Sequence, residues 1–236
     1  MSDTALVLRV TDSDGKSYGG FQWPLTIGAE VVAPDWNPVA KCGGGLHGWM
    51  YGAGNSTSAD IHVDSKWMVV EVALADVVML DGKVKFPRCV VKFVGDQKTA
   101  TDYLVLHEPR ATCVISATCV VGDHQCTSVG DYGTSTAGDY GTATAGDYGT
   151  ATAGYYGTAT AGDYGTATAG DYGTATAGYK GTATAGHMGA ILIRYWDERA
   201  RRHRIQIGYI AEGGLKPDTP YRLNHNNFEE VNRADQ

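Results

Sequence analysis

Pairs of threonine hydroxyls recur at a fixed spacing in the middle of this chain, and they are its first candidates for a chemical role. The unit Ala-Gly-Asp-Tyr-Gly-Thr-Ala-Thr repeats every eight residues, almost unchanged, from Gly130 to Gly186. If the units stack, identical hydroxyls form rows, and such a surface suits a partner that is itself repeated: a second copy, a polymer or ordered water. The threonines concerned are Thr134, Thr136, Thr142, Thr144, Thr150, Thr152, Thr158, Thr160, Thr166, Thr168, Thr174, Thr176, Thr182 and Thr184.

Tyrosine and aspartate follow the same period. Stacked tyrosines would form aromatic ladders that either hold the repeat together or meet a second molecule, so they are candidates for self-assembly. These tyrosines are Tyr132, Tyr140, Tyr148, Tyr155, Tyr156, Tyr164, Tyr172 and Tyr179. We expect two aspartate rows, one with Asp131, Asp147, Asp163 and then Tyr179, the other with Asp139, Tyr155, Asp171 and then His187. Like charges in such rows repel modestly, and the interrupting tyrosines relieve part of that repulsion.

The element that would position these side chains is a β-solenoid. Threonine and tyrosine favour extended backbone, glycine supplies turns, and the alternation in Thr-Ala-Thr places both hydroxyls on one face of a short strand. Eight residues are too few to close a coil, so we predict two units per coil. The repeat then forms about four coils, each rising by roughly 4.8 Å. Two Thr-x-Thr arrays would lie on opposite sides of it.

The sequence around the repeat predicts three regions. Residues 1–112 have ordinary globular composition and indicate an α+β domain, residues 113–190 the solenoid, and residues 191–236 a C-terminal β cap. We expect strands at Thr4 to Val10, Trp67 to Leu74, Val77 to Leu80 and Cys89 to Val94, and a short helix with Asp96 as its N-cap.

The predicted cap contains two strands around a charged turn, and it would cover strand edges exposed at the end of a solenoid. Its basic cluster stands beside an acidic repeat, which makes pairing between copies of the chain plausible. The cluster comprises Arg199, Arg201, Arg202, His203 and Arg204.

Charge and cysteine usage exclude several classes of function. The net charge is −7, and the repeat carries one lysine against six aspartates, so nucleic acid is not an expected partner. Five cysteines without Cys-x-x-Cys spacing indicate neither a disulfide framework nor a zinc site, and we expect free, largely buried thiols with no metal or cofactor. No signal peptide or membrane-spanning segment is predicted.

The chain offers several alternatives to a lattice-binding repeat. The Gly-rich stretch from Cys42 to Gly54 lacks the lysine of a phosphate loop, so it is interpreted as a structural turn. Within it, Cys42 and His47 could form a nucleophile pair, but no orienting carboxylate is evident. The aspartates could bind calcium, but their eight-residue spacing differs from the nine-residue spacing of calcium-binding repeats. The repeat could also be only a spacer between the two flanking regions.

All three regions resemble the bacterial ice nucleation proteins. The N-terminal matches include Gly48-Trp-Met-Tyr-Gly-Ala-Gly-Asn and Lys66-Trp-Met-Val-Val-Glu-Val-Ala-Leu. The Ala-Gly-x-x-Gly-Thr-x-Thr units resemble the octapeptide array of that family, while Ile193-Arg-Tyr-Trp-Asp-Glu and the run from Gly213 to Tyr221 resemble its cap.

The resemblance implies a non-enzymatic protein whose Thr-x-Thr rows order water in an ice-like array, associated with the bacterial cell surface or outer membrane. It also implies a weak nucleator, since family arrays run to dozens of coils, so self-assembly into homo-oligomers would be needed. Family units usually carry serine in the strand, whereas here glycine precedes the first threonine and both half-coils carry Thr-x-Thr. The alternative function is a cell-surface or interaction scaffold, unrelated to ice, that uses the tyrosine and aspartate ladders.

Overall fold

The computed structural model describes residues 3–56 and 61–231, and the chain divides into two compact units, residues 1–117 and 118–236. The N-terminal unit contains one seven-stranded antiparallel sheet, with strand order β2-β7-β4-β1-β3-β6-β5. Its elements are β1 Thr4–Thr11, β2 Glu30–Val32, β3 Leu46–Met50, β4 Lys66–Ala73, β5 Val78–Met79, β6 Val84–Phe86, β7 Arg88–Gly95 and the helix α1 Gln97–His107.

The central strands β1 and β4 are apolar on both faces because both faces are covered. They pair along their whole length, from Thr4 opposite Ala73 to Thr11 opposite Lys66. One face joins a buried cluster that includes Val7, Met68 and Trp23, and α1 packs against β1, β4 and β7. The side chain of Asp96 accepts a hydrogen bond from the Thr99 backbone N–H at 2.8 Å, which confirms the predicted N-cap.

The Gly-rich stretch is not simply a turn, as the sequence suggested, because β3 lies inside it. A Cβ atom on Gly48 would come within 2.4 Å of Val7 Cγ1 and 2.7 Å of the Leu8 carbonyl oxygen. Glycine at this position therefore lets β3 approach β1 closely. The short strands β2 and β6 were also not predicted.

The end of α1 is fastened to β1 by a buried carboxylate that the sequence did not reveal. Glu108 accepts a hydrogen bond from the Leu6 backbone N–H at 3.1 Å and is paired with Arg110, whose Nε lies 2.6 Å from Oε1. Burial works against the charged carboxylate, but these donors outweigh it, and the pKa of Glu108 is lowered.

The C-terminal unit is a β-solenoid with sixteen-residue coils, as predicted. Odd and even strands of the repeat alternate between two parallel sheets. The strands are β8 Thr118–Val120, β9 Cys126–Ser128, β10 Thr134–Ala137, β11 Thr142–Ala145, β12 Thr150–Ala153, β13 Thr158–Ala161, β14 Thr166–Ala169, β15 Thr174–Ala177, β16 Thr182–Ala185 and β17 Ala190–Asp197. Each parallel stack contains five strands, not the four predicted coils, because the degenerate units at β8, β9 and β17 keep the register.

The solenoid interior is filled by alanine. Ala151, Ala159 and Ala167 are fully buried, and the alanines that end each strand are nearly so. Larger apolar side chains enter only near the ends, with Val129 at one end and Ile191 and Ile193 at the other. A core this thin explains why the repeat needs no leucine or phenylalanine.

Two antiparallel hairpins extend the parallel sheets at the C-terminal end. The strand β18 Arg202–Tyr209 pairs with β17 along eight residues, while β19 Tyr221–Asn224 joins β16 and pairs with β20 Asn227–Glu230. The first sheet has the order β20-β19-β16-β14-β12-β10-β8, and the second β18-β17-β15-β13-β11-β9.

Candidate functional site: two threonine faces

The predicted threonines form two arrays, one on each parallel sheet. In every full unit the threonines are at least partly exposed and the residue between them, Ser135 in the first unit and alanine in the others, is buried. We call the outward side of the first sheet face 1; its threonines are Thr134, Thr136, Thr150, Thr152, Thr166, Thr168, Thr182 and Thr184. We call the outward side of the second sheet face 2; its threonines are Thr142, Thr144, Thr158, Thr160, Thr174 and Thr176.

Strand register places identical residues side by side in both faces. On face 1, Thr134 lies opposite Thr150, which lies opposite Thr166. On face 2, Thr142 lies opposite Thr158. Neighbours in such rows are spaced at about 4.8 Å, and the two threonines of one strand at about 6.7 Å.

Six turns of the solenoid hold a tyrosine in the left-handed backbone region, and His124, Lys180 and Met188 occupy the same position in the other turns. Tyr132, Tyr148 and Tyr164 have φ near +56° (56°, 56° and 58°), a conformation that non-glycine residues rarely adopt. The turn is closed by a hydrogen bond between the flanking glycines, for example from Gly149 N–H to the Gly146 carbonyl at 3.2 Å. The strained tyrosine is stabilised by its neighbours in the next coils.

The tyrosine rings stack in two ladders, as the period predicted. Ring centroids of Tyr132, Tyr148 and Tyr164 are 5.0 Å apart in succession with nearly parallel planes. The second ladder joins His124, Tyr140, Tyr156 and Tyr172 at 5.0, 5.4 and 4.9 Å. About half of each side chain stays exposed; Tyr148, for example, is 44% exposed.

The aspartates fasten one coil to the next, a role that the sequence analysis missed. Asp147 Oδ1 accepts a hydrogen bond from the Asp163 backbone N–H at 2.7 Å, and Asp131 Oδ1 accepts one from Asp147 at 3.1 Å. On the other side, Tyr155 and His187 donate their backbone N–H groups to Asp139 and Asp171, respectively. The expected rows are present, and their carboxylates are engaged with backbone N–H groups between coils.

Two tyrosines that replace the aspartate of their units contact the rings of the ladders edge-on. Tyr155 contacts the ring of Tyr156 edge-on at a centroid distance of 4.5 Å, and Tyr179 contacts Tyr164 edge-on at 6.2 Å. Loss of hydration among the neighbouring rings raises the pKa of Tyr155, with further contributions from Tyr156 and Tyr140. The ammonium group of Lys180 lies 5.6 Å from the Tyr164 ring centroid, at the end of that row.

The basic cluster lies in and after the turn between β17 and β18. Arg204 Nε lies 2.8 Å from Asp197 Oδ2, and the Ala200 backbone N–H donates to Asp197 Oδ1. The hydrogen bond from Ala200 and the charge of Arg204 lower the pKa of Asp197. Arg199, Arg201 and Arg202 are exposed. On the preceding strand, Arg194 forms an ion pair with Asp163 of the aspartate row.

The cap borders the C-terminal end of face 1. A groove of about 680 Å³ lies between threonines of that face, including Thr168 and Thr184, and the segment that contains Pro220 and Arg222. Face 2 instead continues into the outward side chains of β17 and β18. The two faces therefore differ at this end.

Among the described residues, Cys42 and His47 share no hydrogen bond. His47 Nε2 accepts a hydrogen bond from the Gly43 backbone N–H at 3.3 Å, and burial, followed by the charges of Lys83 and Arg9, lowers its pKa to about 4. Cys42 and Cys126 are exposed, so the expectation of largely buried thiols was wrong; Cys89 is buried, and burial raises its pKa to about 12.

Within the described residues, no group of three or more His, Cys, Asp or Glu side chains is arranged to hold a metal ion. In the same residues, no helix has both the length and the apolar character needed to cross a membrane.

Comparison with known proteins finds relatives for the N-terminal region. Residues 5–104 match a family described as a domain of unknown function, DUF7666. The chain is similar to an ice nucleation protein of Pseudomonas syringae (38% identity over 104 residues), one of Pseudomonas fluorescens (35% over 105) and ice nucleation protein InaU of Pantoea ananas (32% over 107). These alignments cover 43–44% of this chain and 8–10% of the relatives. No solved structure matches the chain significantly.

Proposed function

We propose that the protein orders water on its threonine faces and thereby binds or nucleates ice; the similarity of its N-terminal region to ice nucleation proteins, at 32–38% identity, supports the proposal. The observation that carries the proposal is the in-register alignment of Thr-x-Thr strands on both sheets of the solenoid. The aligned spans of the relatives do not themselves extend this activity to the repeat.

A lattice-binding surface has to be regular and stiff, and the solenoid supports both properties. Every strand from β10 to β17 is hydrogen-bonded on both sides, and the turns are joined by aspartate and tyrosine contacts from coil to coil. Threonine offers a hydroxyl to water and a methyl group beside it, so rows of threonine can hold water at repeated positions without a deep pocket.

The small number of coils sets a size limit on any such template. A stack of five strands spans only about 20 Å. We therefore propose that freezing activity depends on self-assembly, through the half-exposed tyrosine ladders and the exposed arginines of the cap, Arg199, Arg201 and Arg202. Arg204 contributes less, because Asp197 already pairs with it.

A second candidate is an interaction scaffold without a role in ice. The exposed edges of the tyrosine ladders favour it, since aromatic rings are common at protein interfaces. The aspartates give it less support, because their carboxylates are engaged with backbone N–H groups of the next coil. Placement on a bacterial cell surface and the absence of enzymatic activity remain parts of the proposal that rest on the family resemblance.

The proposal is tested by charging each face separately. One variant carries Thr150→Lys and Thr166→Lys on face 1, and another carries Thr158→Lys and Thr174→Lys on face 2. As a control, Ile27→Lys and Val32→Lys place the same charges on exposed positions of the N-terminal unit, where both side chains are 62% exposed. Droplet freezing temperatures and the shaping of single ice crystals are measured for all three variants and the wild type.

We expect both face variants to freeze at lower temperature than the wild type and to shape ice more weakly, and the control to match the wild type. Loss with only one face would assign the activity to that face. A wild-type protein that cannot be distinguished from buffer in either assay would refute the ice-related function. The scaffold candidate would then be tested by sedimentation, since a monomer at every salt concentration would argue against it.

A further inference from the structure

The last strand of the second sheet has an open edge with apolar side chains. Among the described residues, β18 pairs only with β17, and it forms the end of its sheet. Its outward residues Ile205, Ile207 and Tyr209 are 55%, 50% and 57% exposed. An eight-residue edge of this kind leaves backbone N–H and C=O groups available for another strand, and natural proteins usually protect such edges.

The edge strand of the first sheet, β20, is protected against the addition of another strand. The strand β20 is only four residues long and carries Glu229 and Glu230, which are exposed and paired with Arg222 and Lys216, respectively. Short length and charge are two common means of preventing strand addition. In β18 the charges are confined to residues 202–204, and residues 205–209 carry none.

We infer that β18 is a dimerisation edge and that its partner is the β18 strand of a second copy of this chain, paired antiparallel about a two-fold axis at Gln206. In this register Ile205 of one copy lies opposite Ile207 of the other, and His203 lies opposite Tyr209. Both kinds of pair fall on the outward side, and the isoleucines of the two copies lie opposite each other as apolar side chains do within native antiparallel sheets.

The distribution of charge favours this antiparallel arrangement over a parallel one. A parallel, in-register pair would place Arg202 and Arg204 next to their own copies. The antiparallel pair places the basic segment of each strand beside the uncharged segment of the other, so the two arginine groups lie at opposite ends of the interface. Like charges directly opposite each other destabilise a strand pair.

The pairing would join the second sheets of two molecules into one continuous sheet. Because the two-fold axis of such an antiparallel pair is perpendicular to the sheet, both copies present face 2 on the same side. The interface itself does not depend on the proposed function. Only its consequence, a larger threonine-bearing surface, rests on the proposal that these faces order water.

Sedimentation equilibrium of the full chain tests the interface. We expect the wild type to be in equilibrium between monomer and dimer, and Ile207→Lys to raise the dimer Kd by more than about tenfold, because a lysine would face an isoleucine of the partner at a strand edge. Ile27→Lys, which charges another exposed isoleucine, should leave the dimer Kd unchanged. A wild type that stays monomeric at all concentrations, or an Ile207→Lys dimer as tight as the wild type, would overturn the inference.

Cross-linking tests the register without relying on a charged variant. In a background with Cys42→Ser and Cys126→Ser, Gln206→Cys places two cysteines opposite each other at the two-fold axis, where Cα atoms of paired strands are about 4.5–5.5 Å apart, within reach of a disulfide. We expect oxidation to link Gln206→Cys into a dimer and to leave the matched β20 variant Glu229→Cys as a monomer. A sedimenting dimer that Gln206→Cys does not cross-link would overturn the proposed strand pairing. Droplet freezing of the cross-linked dimer is a separate measurement, so failure of the interface and failure of the ice-related function can be told apart.

Discussion

At the scale of single residues, the aspartate in the turn has a structural role that the repeat sequence alone does not reveal. The turn residue Tyr148 adopts a left-handed backbone conformation, and aspartate directly precedes it. The carboxylate of Asp147 then accepts the backbone N–H sixteen residues later. The aspartate thus links two successive coils by a hydrogen bond. We expect its role as a hydrogen-bond acceptor to matter more than its charge.

Replacing Asp147 separates these two roles. We expect Asp147→Ala to lower the free energy of unfolding of the C-terminal unit by about 1–2 kcal/mol, because the partly buried N–H of Asp163 loses its acceptor. Asp147→Asn keeps an oxygen at the same position and should cost less than about 0.5 kcal/mol. Calorimetric unfolding of both variants checks this, and equal losses for Ala and Asn would indicate that the charge matters instead.

His47 should make the N-terminal unit sensitive to acid. Its folded pKa, about 4, lies below the ordinary value of 6.5, chiefly through burial. Between those values the unfolded chain binds a proton that the folded chain does not, so stability present above pH 6.5 is lost as the pH falls toward 4. Allowing for partial exposure, the loss between pH 7 and pH 4.5 is about 1–2 kcal/mol.

The variant His47→Gln should remove that contribution while keeping an acceptor near Gly43. Urea unfolding followed by tryptophan fluorescence reports on this unit, which contains four of the five tryptophans. A smaller difference in unfolding free energy between pH 7 and pH 4.5 is expected for the variant. An unchanged difference would assign the acid sensitivity to other groups, such as Glu108, whose lowered pKa acts in the same direction at lower pH.

At the scale of elements, two glycines per unit allow neighbouring coils to approach. A Cβ atom on Gly154 would lie 2.3 Å from Asp139 Oδ1 and 2.9 Å from the Asp139 backbone nitrogen. The glycine before each strand is restricted in the same way, since a Cβ on Gly165 would lie 2.9 Å from both the Ala161 Cβ and the Gly149 carbonyl oxygen. Glycine before the first threonine therefore has a packing reason.

The first coil provides a matched control for this packing. Gly122 occupies the same place in its unit as Gly154, but the nearest atom to an added Cβ there is Gln125 Oε1 at 3.8 Å. We expect Gly154→Ala to destabilise the solenoid by about 1–3 kcal/mol through overpacking, and Gly122→Ala to have little effect. Thermal unfolding of the two variants measures the difference, and similar unfolding temperatures would contradict a steric role for Gly154.

The elements that could be predicted are those whose pattern is local. The eight-residue period was sufficient to predict the solenoid and its tyrosine ladders, and the apolar runs were sufficient to predict β1, β4 and β7. The strands β2, β3 and β6 have only three to five residues, and β3 lies among glycines. They form because they pair with neighbouring strands, so their own sequences do not predict them. The aspartate links between coils and the open edge of β18 depend on residues brought together by coiling and capping, which no local pattern reveals.

At the scale of the whole molecule, the sixteen-residue coil imposes a rule on the length of the array. Strands alternate between the two sheets, and the cap extends both of them, with β18 beside β17 in the second sheet and β19 beside β16 in the first. An insertion of two units preserves this alternation. An insertion of one unit exchanges the sheets that the cap strands extend, relative to β8 and β9, while β15 and β16, the partners of β17 and β19, move with the cap.

Duplicating residues 154–169 should therefore add one coil, lengthen both faces by one Thr-x-Thr strand and keep or raise the unfolding temperature, because stacked repeats add their interface energies. Duplicating residues 154–161 alone should add a Thr-x-Thr strand to one stack only and leave the contacts of the cap intact, because its partners β15 and β16 lie after the insertion. If the threonine faces order water, the longer array should also freeze droplets at a higher temperature than the wild type. Calorimetry and droplet freezing on the three proteins check both statements, and a two-unit insertion that unfolds at a lower temperature than the wild type would contradict the additivity of stacked coils.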